Sequence, residues 1–158
     1  MLYIGNLVNT HGIKGEVKII SKFKYKSLVF KKGNNLYIND EKLTINSYRP
    51  HKQFDMVTFT NIDNINDVLK YKGSKVYIKK SEFTFSGPLN EDLYGKNVYD
   101  QDKKIGILKT IDDSGKQELL VIQNGEKKYL VPYVNEFVKE INENGIYLNV
   151  IKGLIDED

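Results

Sequence analysis

Apolar and polar residues alternate in short runs along the first half of the chain, and these runs are rich in β-branched and aromatic side chains. Such alternation is typical of strands with one buried face. The runs end at turn-forming residues, among them Gly12, Gly15 and Gly33. We predict strands at residues 2–8, 16–21, 35–38, 42–48, 54–60 and 75–78. Their spacing is typical of a closed or nearly closed β-barrel.

One short helix is predicted in this half of the chain. Asp63 or Asn64 can cap its start, and Gly73 stands where a C-terminal cap belongs. Ile65, Val68 and Leu69 fall on one face of the predicted helix. Such a helix would close one mouth of the barrel.

The alternation lapses between residues 79 and 91, where Gly87-Pro88 interrupts any regular element. We predict a domain boundary in this segment. Beyond it, strands are predicted at residues 97–99, 105–111, 118–122, 127–131 and 146–151. Asn124-Gly125 and Asn144-Gly145 are predicted hairpin turns, since both residue types tolerate positive φ. The second half is therefore expected to form another small barrel or half-barrel, which makes the fold class mainly all-β.

The composition is that of an ordinary folded protein. Hydrophobic residues make up 40% and charged residues 28% of the 158 positions. The absence of cysteine excludes disulfides and thiolate metal sites, and it is typical of a reducing compartment. The first residues lack the pattern of a signal peptide, and no apolar run approaches the roughly 20 residues of a membrane helix. We expect a cytoplasmic protein without membrane association.

Charge is distributed unevenly between the two halves. Residues 1–85 contain 15 Lys or Arg against 7 Asp or Glu, a net charge of +8, whereas residues 86–158 contain 9 against 14, a net charge of −5. A basic half suits RNA, because lysines beside phosphates release counterions, and an acidic half suits a basic protein. A chance difference between two small domains stays open as the alternative.

Candidate catalytic groups are few. His11 and His51 are the two histidines of the sequence, and neither stands in a recognisable triad. No phosphate-binding glycine motif is present, and no acidic residues have the spacing of a magnesium or calcium site. We therefore expect no enzymatic activity, cofactor, metal or small-molecule substrate. An enzyme that uses a cleft between the domains remains an alternative, because a buried carboxylate–histidine pair is visible only in a structure.

Three separated stretches, taken in order, resemble the RimM family of bacterial factors that assist maturation of the small ribosomal subunit. The first is IGNLVNTHGIKGEVKI at residues 4–19, and the second is RPHKQFDMVTFTNIDNINDVLKYKGSKVYI at 49–78. The third runs through the second half, as EDLYGKNVYD at 91–100, IGILKTI at 105–111, LVPYVNEFVKEI at 130–141 and GLID at 153–156. The order and spacing of these stretches carry the resemblance, since glycine-bounded strands are individually common.

The resemblance implies two small β-barrels in tandem. Residues 1–83 would form a six-stranded barrel like those of translation factors, with one short helix, residues 84–90 a linker, and residues 91–158 a PRC-barrel. It also implies a non-enzymatic, monomeric ribosome maturation factor. Such a factor binds the free small (30S) subunit near its head, contacts the head ribosomal protein numbered nineteen, and assists processing of small-subunit RNA.

The same resemblance suggests candidate contact residues. The candidates for the RNA-facing edge are His11, Lys14, Lys18 and Arg49. The family often has two tyrosines just before its Asp-Leu-x-Gly motif, and this pair is missing ahead of Asp92. The candidates for contact with the ribosomal protein are therefore Leu89, Leu93, Tyr94, Pro132 and Tyr133.

Two further functional classes remain open at this point. A general RNA-binding barrel, similar to a translation factor, would act on mature ribosomes or transcripts and would show no preference for a partner of the acidic half. A PRC-barrel that works beside a membrane is the other, although the sequence contains no anchor.

Overall fold

The computed structural model describes residues 1–150, and the chain forms two compact units. The first unit comprises Met1–Ser86, and the second begins at Gly87. The segment predicted as a linker, 84–90, is divided between them. Phe85 packs against the core of the first unit, whereas Leu89 is the N-cap of a short helix in the second.

The first unit is a closed barrel of six antiparallel strands, arranged in the order β1-β2-β5-β4-β3-β6. The strands are β1 (Leu2–His11), β2 (Glu16–Ile20), β3 (Asn35–Ile38), β4 (Glu41–His51), β5 (Phe54–Phe59) and β6 (Lys75–Ile78). Inward residues of all six strands fill the interior, and Leu7, Ile19 and Phe59 are among the largest fully buried side chains. The alternation seen in the sequence arises because each strand has one face in this core.

The predicted helix is instead two consecutive 3₁₀ turns, at Ile65–Asp67 and Leu69–Tyr71. Asn64 caps the first turn, as predicted, by accepting a hydrogen bond from the backbone N–H of Asn66 at 2.8 Å. The segment is too short and too rich in Asn, Asp and β-branched residues to favour an α-helix. A one-turn helix, α1 (Lys26–Val29), was not predicted.

Two tyrosines of the first unit combine a hydrogen bond from the hydroxyl to a carboxylate with a pKa raised to about 12. Tyr48 donates to Asp55 at 2.7 Å, and Tyr71 donates to Glu41. Burial raises the pKa of Tyr71 to about 12, and the hydrogen bond to Glu41 adds to this. Burial and the bond to Asp55 raise the pKa of Tyr48 to about 12 as well.

We therefore expect alkaline pH to destabilise the first unit. A folded-state pKa above the unfolded value of about 10 contributes stability that is complete below pH 10 and is lost as the pH rises through 12. For Tyr71, which is 2% exposed, the loss reaches about 2 kcal/mol by pH 12. Urea denaturation at pH 8 to 12 measures this. Tyr71→Phe should lose less stability over that range than wild type. Tyr94→Phe, at an exposed position, should lose as much stability as wild type. Equal losses in all three proteins would contradict the assignment.

The second unit contains a six-stranded sheet in the order β10-β9-β8-β7-β12-β11. The strands are β7 (Asn97–Asp100), β8 (Lys103–Asp112), β9 (Leu119–Asn124), β10 (Lys127–Pro132), β11 (Val138–Asn142) and β12 (Gly145–Leu148). β7 and β12 pair in parallel, and the other neighbours are antiparallel. A short helix, α2 (Asn90–Leu93), precedes the sheet. The prediction of a mainly all-β fold is confirmed, whereas α2 and β11 were missed, and the predicted end of the last strand, residue 151, lies outside the described residues.

The two predicted hairpins exist, but each loop lies one residue from its predicted position. Asn124 pairs with Lys127, so Gly125 and Glu126 form the two-residue loop. Gly125 has a φ of 63° at the first loop position, where a type II′ turn requires glycine. In the other hairpin Asn142 pairs with Gly145. Within residues 1–150 no helix is long and apolar enough to cross a membrane.

Candidate functional site

The outer face of β2, β5 and β4 brings together residues that are distant in sequence. Val17, Ile19 and Val57 are fully buried in the barrel core, so the residues between them point outward. Lys18 pairs with Met56 across β2 and β5, and Met56 pairs with Arg49 across β5 and β4. These three positions therefore form one row on the outside of the barrel.

Arg49 makes a bidentate ion pair with Glu16 on this face. Its Nε and Nη2 each donate to a carboxylate oxygen of Glu16 at 2.9 Å. Because β5 lies between β4 and β2, the Arg49 side chain crosses β5, where Met56 is fully buried. The hydrogen bonds from Arg49 hold the pKa of Glu16 below its usual value, despite the opposing effect of desolvation. Arg49 therefore compensates the charge of Glu16 on this face.

Two hairpin tips meet at this end of the barrel. His11 at the end of β1 and His51 at the end of β4 have ring centroids 6.3 Å apart. Lys14 is exposed in the β1–β2 turn, and Lys52 is exposed in the β4–β5 turn. The Nζ of Lys18 lies 4.9 Å from the ring centroid of Phe54.

We call this surface the basic face. It consists of His11, Lys14, Lys18, Arg49, His51 and Lys52. All four predicted RNA-facing residues thus lie at one end of the barrel, and sequence reasoning missed His51 and Lys52. Both residues lie in the β4–β5 hairpin, but no sequence pattern shows that this hairpin lies beside the β1–β2 turn.

A second surface lies on the outer side of β8, β9 and β10. Leu120, Ile122 and Val131 point into the core of the second unit, so the residues between them point outward. Thr110 pairs with Val121, and Val121 with Leu130, which is 51% exposed. The outward apolar residues of these strands are Ile107, Leu119, Val121, Leu130 and Pro132, and we call them the apolar patch. Val121, at its centre, is 8% exposed, so the other four residues provide its accessible surface.

Some predicted partner-binding residues are not available on the surface. Leu93 is 1% exposed and packs in the core of the second unit, and Leu89 is 7% exposed. The structure thus places both side chains inside the second unit, and their contact with a partner stays a prediction. Tyr133 packs partly against the same core, and its backbone N–H donates to the Glu118 carbonyl at 2.9 Å. Tyr94 is 41% exposed.

Sequence reasoning also missed Leu130 and Ile107, which is 43% exposed. One signal was present in the uninterrupted apolar run at 119–122, because a strand that is apolar at every position has apolar residues on both faces. Pro132, which was predicted, ends β10 beside Leu119 and is half-buried.

The charged groups on these surfaces do not form a metal site or a catalytic triad. Among residues 1–150, no group of three or more His, Asp or Glu side chains is placed to hold a metal ion. Glu16 is committed to Arg49, so it does not orient either histidine as the acid of a triad would. The geometry supports binding through charge and apolar contact.

Comparison with known proteins identifies the family. Residues 2–83 match the RimM N-terminal domain, and residues 90–152 match the RimM PRC barrel domain. This chain belongs to the RimM family. Residues 84–89 lie between the two matched RimM domains.

Individual RimM relatives align with almost the whole chain. A protein of Staphylococcus haemolyticus is 41% identical over 164 residues, which cover 97% of this chain and 98% of the relative. A protein of an Exiguobacterium species is 35% identical, with 99% and 98% covered. Both are named ribosome maturation factor RimM. A crystal structure of a RimM protein from Pseudomonas aeruginosa covers 95% of this chain and 97% of its own, at 19% identity and a TM-score of 0.46, too weak a likeness to support an inference.

Proposed function

We propose that this protein is a ribosome maturation factor that binds the free small (30S) ribosomal subunit near its head and assists processing of small-subunit RNA. It acts in the cytoplasm as a monomer and without catalysis. The observation that carries the proposal is the similarity of nearly the entire chain to relatives named ribosome maturation factor RimM.

The basic face is the proposed RNA contact. It belongs to the half of the chain with a net charge of +8. Lys14, Lys18 and Lys52 are its lysines, whereas the charge of Arg49 is compensated by Glu16. Lysines at a convex hairpin end can approach phosphates of folded RNA without reading base edges. We therefore assign the three lysines to phosphate contact and Arg49 to holding the face in shape.

The apolar patch is the proposed protein contact, and the partner is the small-subunit head protein numbered nineteen. The patch lies on the half of the chain with a net charge of −5, which suits a basic partner. Leu130 and Ile107 are exposed large hydrophobic residues, as interface cores require. Tyr94, which is not part of the patch, is a further candidate contact residue.

We expect Leu130→Ser to weaken binding of the isolated ribosomal protein about tenfold, because a central apolar side chain contributes strongly to an interface. Lys128→Ser is the matched control, since Lys128 lies two residues before Leu130 on the same face of β10. Titration calorimetry measures both affinities, and thermal unfolding should show both variants folded. An unchanged affinity in Leu130→Ser would exclude the apolar patch as the contact.

Co-sedimentation tests the proposed function. The purified protein is mixed with free small subunits, free large subunits or assembled ribosomes from the same cells, at low and at moderate salt. We expect it to sediment with free small subunits at both salt concentrations, and with neither of the other particles at moderate salt.

Two other outcomes would contradict the proposal in different ways. Equal binding to all particles that disappears at moderate salt would indicate a general RNA-binding barrel. Sedimentation with none of them would exclude ribosome binding and favour the enzymatic alternative.

A further inference from the structure

We propose that the outer face of β1, β6 and β3 binds an unpaired nucleotide of single-stranded RNA, with the base against tyrosine rings and the flanking phosphates beside lysines. This inference rests on the proposed function, because the RNA segment would belong to the small subunit. We call the surface the tyrosine face, and its residues are Tyr3, Tyr37, Tyr77, Lys75 and Lys79. It lies on strands that do not carry Lys18 or Arg49, so it is a second RNA contact in addition to the basic face.

Strand pairing places the three tyrosines in one row. Tyr77 on β6 pairs with Tyr3 on β1 at one side and with Tyr37 on β3 at the other. The neighbours of Tyr77 along β6, Val76 and Ile78, are fully buried in the barrel core. All three tyrosines therefore stand on the outside of the barrel, and none belongs to its core.

The tyrosine rings are accessible at one end of the row and covered at the other. Tyr3 is 49% exposed, and its ring meets that of Tyr77 edge to face, with centroids 5.9 Å apart. Tyr37 is 7% exposed and donates a hydrogen bond from its hydroxyl to Glu82. The free ring surface of the row is thus centred on Tyr3 and Tyr77.

Lysines flank the rings. Lys75 and Lys79 lie two residues before and after Tyr77 on β6 and its extension, so their side chains leave on the same side of the sheet. The Nζ of Lys75 is 5.9 Å from the Tyr3 centroid, and the Nζ of Lys79 is 5.0 Å from the Tyr37 centroid. Aromatic rings alternating with cationic groups form the usual binding surface for single-stranded nucleic acid.

A cavity of about 420 Å³ adjoins the row. Its volume falls in the range of small-molecule clefts. The cavity is lined by Met1, Tyr37, Asn39, Asp40, Lys75 and Tyr77. Asp40 repels a phosphate but accepts hydrogen bonds from N–H groups on a base edge. The chemistry of the lining therefore favours a base inside the cavity and leaves the phosphates to the lysines.

The test is fluorescence anisotropy of a labelled, unstructured hexaribonucleotide titrated with full-length protein. We expect wild type to bind it and to bind a duplex of the same sequence more weakly, because paired bases cannot enter the cavity. Tyr77→Leu should lower the affinity about tenfold, as loss of one stacking ring does. Tyr77→Phe, which keeps the ring, should retain wild-type affinity, and Tyr94→Leu, at an exposed tyrosine of the second unit, should have no effect.

Equal affinity of wild type and Tyr77→Leu, equal affinity for the duplex, or no binding by wild type would each overturn the proposal. Thermal unfolding verifies that the variants fold, and Tyr3→Leu, at the most exposed ring of the row, replaces Tyr77→Leu if that variant unfolds. Co-sedimentation of wild type with free small subunits distinguishes a failure of the tyrosine face from a failure of the proposed function. Sedimentation without oligonucleotide binding leaves the proposed function standing and rejects the tyrosine face. Oligonucleotide binding through Tyr77 without sedimentation supports the tyrosine face as an RNA contact and rejects the proposed function.

Discussion

Gly5→Ala is expected to destabilise the first unit by about 3 kcal/mol, because a side chain at this position has no space. A Cβ on Gly5 would lie 2.4 Å from the backbone carbonyl oxygen of Ile20 and 3.1 Å from the Cβ of Ser21. The Ser21 hydroxyl donates to the Ile4 carbonyl at 2.6 Å, which holds the chain segments together beside Gly5. Since the obstacle is backbone, relief requires β1 to move away from the end of β2.

Gly73→Ala is the matched control within the same unit. Gly73 has a φ of +84°, but an added Cβ would meet nothing within 4 Å, so the substitution introduces backbone strain without a clash. It should cost about 1 kcal/mol. Native-state amide hydrogen exchange at Leu7 and Ile19 reports the stability of the barrel core in both variants. Equal protection in Gly5→Ala and Gly73→Ala would show that the close approach at Gly5 does not constrain the fold.

Replacing Lys14, Lys18 and Lys52 together with glutamine is expected to weaken binding to free small subunits about tenfold at low salt. These lysines provide the uncompensated positive charge of the basic face, and each one that contacts a phosphate releases a counterion. The slope of log affinity against log salt should therefore fall by about 2. The effect should shrink as the salt concentration rises, because screening weakens all charge contacts.

A second triple variant tests whether position or total charge matters. Replacing Lys31, Lys32 and Lys72 with glutamine removes the same charge from exposed positions of the first unit that lie outside the basic face. We expect this variant to bind nearly as well as wild type. Similar losses in both triple variants would mean that net charge alone governs binding. A loss in the first variant that does not depend on salt would indicate damage to the fold.

The sequence predicted strands best where one face of a strand is buried. β3 and β6 were predicted with the bounds that the structure has, because two residues of each strand point into the core and turn-forming residues precede both strands. The end of β4 was missed because residues 46–50 are exposed on both sides, so the alternation disappears. β11 was missed for a related reason, since its pairing with β12 is irregular and few of its residues are buried.

The candidate sites could be predicted only in part, because neighbours across a sheet depend on strand order. Glu16 on β2 and Arg49 on β4 come within hydrogen-bond distance only because both strands are neighbours of β5. The row of Tyr3, Tyr37 and Tyr77 requires β6 to close the barrel between β1 and β3. Leu93 is the converse case, since its place in a family motif made it a candidate contact residue, whereas the structure places it in the core of the second unit.

The most direct test of a role in small-subunit maturation is to deplete this protein from the cells that encode it and to measure the termini of ribosomal RNA. We expect unprocessed small-subunit RNA and free small subunits to accumulate, while large-subunit RNA is processed normally. Wild-type protein should restore processing, and the Lys14, Lys18 and Lys52 triple variant should restore it poorly. Normal processing of small-subunit RNA in depleted cells, or equal defects in both subunits, would contradict the proposed function.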